Sequence, residues 1–289
     1  MSASILAFEA NFLSPKPIPD TQWRGVWVRG MLGKALKKQV CVFEDKTAYC
    51  LGCSQQNVCD FPQVFRPKSI ELEHMPGYVL HRVAVDQKGF QLTVSVVVLT
   101  GGYKSIESFF NTLQGGVELP DGTPLYLKNF SLLPKGVKLY EKGRMFPLSS
   151  QALPFISLRQ PLPALVDVKT KTPIASRYNL LEEETLFSLV RNRLHRLQKC
   201  YAPFDEVWLE AFGALSADEA WQVVESQLLT KPFHLPKDEQ VIRVNTYTGY
   251  WTLAQIHPVA WEALQWIGWV HLGRRASQGF GNILLKPLV

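Results

Sequence analysis

The sequence predicts an α+β protein built as two ferredoxin-like units in tandem. Three observations carry this. The first half reads strand, helix, hairpin, helix, strand, which is the ferredoxin-like order. The second half runs through a similar βαββαβ-like order with further helices inserted. Between them, residues 147–163 are rich in proline and polar turn residues and mark a boundary, giving units 1–147 and 148–289. No residue-level repeat links the halves, so the duplication rests on element order.

Taken in order, Ile5 to Leu13 reads as a strand closed by Ser14-Pro15-Lys16-Pro17, and Trp23 to Val40 as a helix. At about 100° per residue, Val28, Leu32, Ala35, Leu36 and Val40 share one side of that helix. Lys34, Lys37 and Lys38 lie opposite, with Arg24 and Arg29 at the apolar margins. Tyr78 to Val85 and Gly89 to Leu99 alternate around an Asp86-Gln87-Lys88-Gly89 turn and predict a hairpin. Ser105 to Leu113 predicts a helix, and Pro124 to Leu133 and Lys138 to Tyr140 predict strands.

In the second half, Phe155 to Val168 is expected to open with a strand and Glu182 to Cys200 to form a helix. Leu186, Val190, Leu194 and Leu197 make its apolar stripe, while Arg191, His195 and Lys199 run down another face beside Arg196. Ala217 to Leu228 is expected as a helix, Gln240 to Thr252 as a strand or hairpin, His257 to Val270 as the last helix, and Ile283 to Leu288 as the final strand. Both basic faces have two readings, a solvated surface or a surface for RNA.

Composition bounds the class. At 289 residues, 46% hydrophobic and 11% aromatic, the chain can bury a core and is not disordered. The formal charge of +6 permits a polyanionic partner without demanding one. No apolar run reaches membrane-spanning length, and Met-Ser-Ala-Ser-Ile-Leu lacks a basic leader region, so a soluble, cytoplasmic protein without membrane contact is expected.

Four of the five cysteines, Cys41, Cys50, Cys53 and Cys59, fall within nineteen residues as C-x8-C-x2-C-x5-C. Four thiolates at such spacing suit a tetrahedral, closed and therefore structural zinc site. An iron–sulfur cluster, or cysteines without a ligand, are the other readings.

Between the last helix and the last strand lies His271-Leu272-Gly273-Arg274-Arg275-Ala276-Ser277-Gln278-Gly279-Phe280-Gly281, with three glycines, two arginines and a histidine in eleven residues. Dinucleotide and P-loop glycines follow a strand and open a helix. Here the order is reversed, which disfavours mononucleotide binding. Exposed backbone N–H groups at Gly273, Gly279 and Gly281, with adjacent arginines, suit phosphate oxygens.

His271, Gly273, Arg274, Gly279, Phe280 and Gly281 match the pattern His-x-Gly-basic-x4-Gly-apolar-Gly and so resemble the C-terminal loop of the CRISPR repeat-processing endoribonucleases of the RAMP superfamily. Arg29, Gly30, Gly33 and Leu36, the cysteines after them, and Pro62, Phe65 and Pro67 resemble the N-terminal part of a branch of that family, some of whose members serve type III or type IV systems.

The resemblance implies two tandem ferredoxin-like domains, binding of precursor CRISPR RNA at its repeat stem-loop, and cleavage without a catalytic metal by attack of a ribose 2′-hydroxyl. The products would be a 2′,3′-cyclic phosphate and a 5′-hydroxyl, with the protein staying on the mature crRNA among other CRISPR effector subunits. It also implies a catalytic role for His271, with Arg274 and Arg275 on the phosphate. The RNA surface would comprise Arg24, Arg29, Lys34, Lys37, Lys38, Arg191, His195 and Lys199 with the three loop glycines, and His195 is a second choice for proton transfer. The first helix lacks the histidine that many members carry, which keeps open a non-catalytic RNA-binding RAMP subunit. A zinc-stabilised scaffold protein is the remaining rival. No carboxylate cluster of the two-metal type is apparent.

Overall fold

The computed structural model describes residues 5–19, 24–41, 50, 53–55, 58–65, 75–99, 102–146, 155–156, 158, 160–175, 183–237, 240–273 and 275–288. It divides into two compact units, Met1–Ile156 and Ser157–Val289.

The first unit runs β1 (Leu6–Leu13), α1 (Arg24–Val40), α2 (Asp60–Val64), β2 (Tyr78–Val85), β3 (Gln91–Val98), α3 (Gly102–Gln114), β4 (Val117–Glu118), β5 (Pro124–Leu133), β6 (Val137–Glu141) and β7 (Arg144–Met145). Its antiparallel sheet has the order β2-β3-β1-β5-β6-β7, with β4 on β5. The hairpin thus lies on one side of the first strand and β5 on the other, the arrangement of a ferredoxin-like sheet. Alternation along β1 sends Leu6, Phe8, Ala10 and Phe12 into a core shared with Leu32 and Leu36 of α1 and Phe109 of α3. The Phe8 ring sits 4.7 Å from Phe130 and 5.2 Å from Phe109. Phe65, just past α2, packs 4.6 Å from the Tyr78 ring. A methyl on Gly33 would lie 3.2 Å from Phe65, so that glycine lets α1 seat against the segment that follows the cysteines.

The second unit runs β8 (Leu165–Thr170), β9 (Ile174–Ala175), α4 (Glu183–Tyr201), α5 (Glu206–Gly213), α6 (Ala217–Ala220), β10 (Gln222–Lys237), β11 (Gln240–Ala254), α7 (Pro258–Val270) and β12 (Ile283–Leu288). Its sheet order, β10-β11-β8-β12 with β9 on β11, repeats that of the first unit. The fold is therefore two tandem ferredoxin-like units.

Two expected elements are corrected. The stretch 217–228 is not one helix. A Ser216/Glu219 capping box starts α6, but Trp221 is extended and buried, 5.7 Å from the Phe187 ring, and the chain continues as β10. The β-branched Val223 and Val224 suit that strand, whose register with β11 runs from Gln222↔Ala254 to Lys237↔Gln240. The strand expected from Phe155 begins instead at Leu165. The described part of 155–163 serves as a strap: the Trp261 indole donates to Gln160 O at 3.0 Å. Among the described residues, no helix is long and apolar enough to cross a membrane.

Candidate nucleic-acid interface

Helix α7 starts at Pro258, with the His257 ring accepting from the Val259 amide at 3.3 Å. Its buried residues, among them Trp261, Leu264, Trp266, Ile267 and Val270, fix it in the unit, and it packs on α4, α5 and β12. It ends abruptly. His271 takes φ 62° and ψ 153°, a region occupied almost only by glycine and costing other residues about 1–3 kcal/mol.

The loop after it folds on itself. Leu272 N–H donates to Gly281 O (2.9 Å), Gln278 N–H to Arg275 O (2.8 Å), Gly279 N–H to Ala276 O (2.9 Å) and Gly281 N–H to Pro173 O (2.9 Å). The Thr172 hydroxyl donates to Gly279 O at 2.7 Å and accepts from Asn282 N–H at 2.9 Å. The glycines serve this closure. Gly281 has φ 79°, and a Cβ there would fall inside the Leu272 carbonyl; one on Gly273 would lie 2.6 Å from Ala175 O.

Two expectations change. The amides of Gly279 and Gly281 are committed to the chain's own oxygens rather than offered to a phosphate. His271 has no exposed surface, and its Nδ1–H donates to Phe280 O at 3.0 Å. The ring is enclosed in this structure and ties the two ends of the loop together. What the loop presents outward is Arg275, partly exposed, with Nη1 3.2 Å from Gln278 Oε1. Arg274 lies outside the described residues.

Helix α4 carries its polar face as expected. His195 and Lys199 are exposed, and the Arg191 guanidinium sits 5.3 Å from the Phe187 ring centroid. Partial burial and then Arg191 hold the His195 pKa below its ordinary value, which favours the neutral ring. The residue sequence reasoning missed is Arg193, which points the other way. It is 9% exposed, and its Nε and Nη2 donate to Val270 O at 3.2 and 2.7 Å. Burial, then Arg196, push its pKa down to about 10, so it remains charged at neutral pH. No pattern in the sequence pairs residues 193 and 270.

On α1, Lys34 and Lys38 are exposed, Lys34 lying 3.8 Å from Glu118. Lys37 leans over the Phe61 ring at 6.0 Å. Arg24 and Arg29 are half-buried, and Arg29 lies beside the Tyr78 phenol, whose pKa burial pushes well above its usual range. The outward cations of this helix are therefore its lysines.

None of the cysteines is in a disulfide. Cys41 closes α1 through its N–H to Lys37 O (3.0 Å), and Cys59 is the N-cap of α2. Cys53 N–H donates to Cys50 O at 3.2 Å. Among the described residues, no three His, Cys, Asp or Glu side chains are gathered into a group that would hold a metal.

With the fold in place, comparison with solved structures is decisive for architecture. A Cas6 product complex shares 14% identity with this chain over 99% of it and 100% of its own length, with a TM-score of 0.56. A second Cas6 product complex shares 13% over 98% and 99%, with a TM-score of 0.53. The chain has the Cas6 fold. Thermus thermophilus Cas6 matches likewise at 12% identity over 99% of each chain, with a TM-score of 0.52. The family model described as the AF_1859_N N-terminal domain matches residues 2–119, less than half of the chain. No curated protein matches. In Cas6 terms, the likeness spans both units, including the α7–loop–β12 segment on which the sequence resemblance turned.

Proposed function

We propose that this chain is a CRISPR repeat-processing endoribonuclease of the RAMP superfamily. It binds precursor CRISPR RNA at the repeat stem-loop, cleaves it, and stays on the mature crRNA as a partner of other CRISPR effector subunits. The observation that carries the reading is the end-to-end likeness to Cas6 product complexes, joined to the His271-to-Gly281 loop between α7 and β12.

The step is a transesterification. The 2′-oxygen attacks the adjacent phosphorus while a base takes its proton, the P–O5′ bond breaks, and an acid protonates the leaving 5′-oxygen. Arg274 and Arg275 would neutralise the phosphorane oxygens. Lys34, Lys37, Lys38, Arg191 and Lys199 would contact phosphates along the RNA. His195, exposed and with its pKa held below the ordinary value, is the side chain we assign to proton abstraction in place of His271.

The test is cleavage of the repeat hairpin in excess EDTA, beside a substrate with one 2′-deoxy at the break. The ribose substrate should be cut to a cyclic-phosphate end and the deoxy substrate should stay whole. Binding that weakens steeply with salt but cuts neither substrate would make the chain a passive RNA-holding RAMP subunit, which the burial of His271 favours. Neither binding nor cleavage would leave a scaffold protein.

We also propose that Cys41, Cys50, Cys53 and Cys59 take up one structural zinc. The spacing and the Cys53 N–H bond to Cys50 O support this. Native protein should carry one zinc per chain by mass spectrometry, and Cys53→Ser should lose it with little change in the second unit. A metal-free native protein would end the proposal.

A further inference from the structure

Arg193 stands in the buried stripe of α4, among Val190, Leu194 and Leu197, where a cation is costly unless its donors are satisfied. Two of them converge on the carbonyl of Val270, the last residue of α7. That oxygen is one of the four at a helix C-terminus without an intrahelical amide, and the negative end of the helix dipole favours a cation there. The next residue is His271, with its strained backbone. Arg193 thus grips the chain one residue before the loop departs. Other ties, among them those from the His271 ring to Phe280 O, from Thr172 to Gly279 O and from Gly281 N–H to Pro173 O, hold the loop to itself and to the segment after β8. Arg193 belongs to α4, two residues from Arg191 on one side and from His195 on the other.

We propose that Arg193 is a positioning residue: it fixes the departure of the glycine-rich loop that carries Arg275 relative to α4, so that one RNA backbone meets the loop and the basic residues of that helix. This rests on the RNA-cleaving reading above for its function, but not for its geometry. The fork matters as well as the charge, because a lysine places one nitrogen where the guanidinium places two.

The test compares Arg193→Lys and Arg193→Gln with the parent, as full-length protein, by hydrogen exchange and by single-turnover cleavage of the repeat hairpin. In Arg193→Lys, exchange should quicken by about tenfold or more at the amides of 272–282 while α4 and β10–β11 keep their protection. Cleavage of bound RNA should fall by up to about 100-fold, as for reacting groups displaced by an ångström, with hairpin affinity changed much less. Unchanged loop exchange and cleavage in both variants would overturn the proposal. So would a uniform loss of protection across the unit, or failure of both variants to fold, since either makes Arg193 a stability residue only. If the parent itself neither binds nor cuts RNA, the functional reading fails, and the exchange data still decide whether Arg193 holds the loop.

Discussion

Gly281→Ala is expected to lower the melting temperature of the second unit by roughly 10 °C and to cut RNA cleavage by about 100-fold. Two penalties coincide at this position. The backbone holds φ 79°, in the left-handed region where a side chain meets its own carbonyl, and the added methyl falls inside the Leu272 carbonyl that faces it. Neither can be relieved locally. Gly281 N–H is bound to Pro173 O, and Gly281 O accepts from Leu272 N–H, so moving the residue breaks two hydrogen bonds of the closed loop. A loss of about 3 kcal/mol places the substitution among the severe ones.

The measurement is available in the intact chain. Six of the eight tryptophans, from Trp208 to Trp269, lie in the second unit, and their fluorescence follows its unfolding. Gly30→Ala is the control, because a Cβ there meets nothing within 4 Å. A Gly281→Ala protein melting within 2 °C of the parent would refute the account of why the glycine is there.

The same loop shows what the sequence could and could not disclose. Elements whose partners are near in the chain were legible. The β2–β3 hairpin followed from alternation about a four-residue turn, α1 from its 3.6-residue stripe, and α7 from its apolar run. The end of α6 was not legible, because Trp221, Val224 and Leu228 also fit helical spacing. What decides the state of this stretch is pairing with β11, where Val223 lies opposite Leu253, Ser226 opposite Trp251 and Leu228 opposite Gly249. The glycines of the loop were read as openings toward a phosphate, whereas the oxygens they approach belong to residues 173, 175 and 272, two of them about a hundred residues away. Periodicity cannot report such contacts. For the same reason Arg193 was missed, although its position two residues from Arg191 and His195 already turned it toward the apolar side.

His271 makes the sharpest case, because its match to the catalytic pattern and its burial lead to different experiments. A proton-transfer catalyst contributes on the order of 10²–10⁴ in rate, and any replacement without an imidazole forfeits it. An anchor is judged instead by whether the bond to Phe280 O survives. Asparagine reaches from the same Cβ to nearly the position of Nδ1, offers an N–H, and tolerates positive φ better than most residues. Alanine offers no donor and leaves a void under a strained backbone. His271→Asn is therefore expected to cleave bound RNA within about tenfold of the parent with an unchanged pH profile. His271→Ala should destabilise the second unit by about 2–4 kcal/mol and lose cleavage together with loop protection. A His271→Asn protein whose loop amides stay protected while cleavage drops by 100-fold or more would return the imidazole to the reaction, and would require the loop to open when RNA binds. With the ring acting as a peg, the pH dependence of cleavage should instead respond to His195, whose depressed pKa keeps it in the proton-accepting form down to below its ordinary value. His195→Gln should remove that limb of the profile while leaving the melting temperature of the unit unchanged.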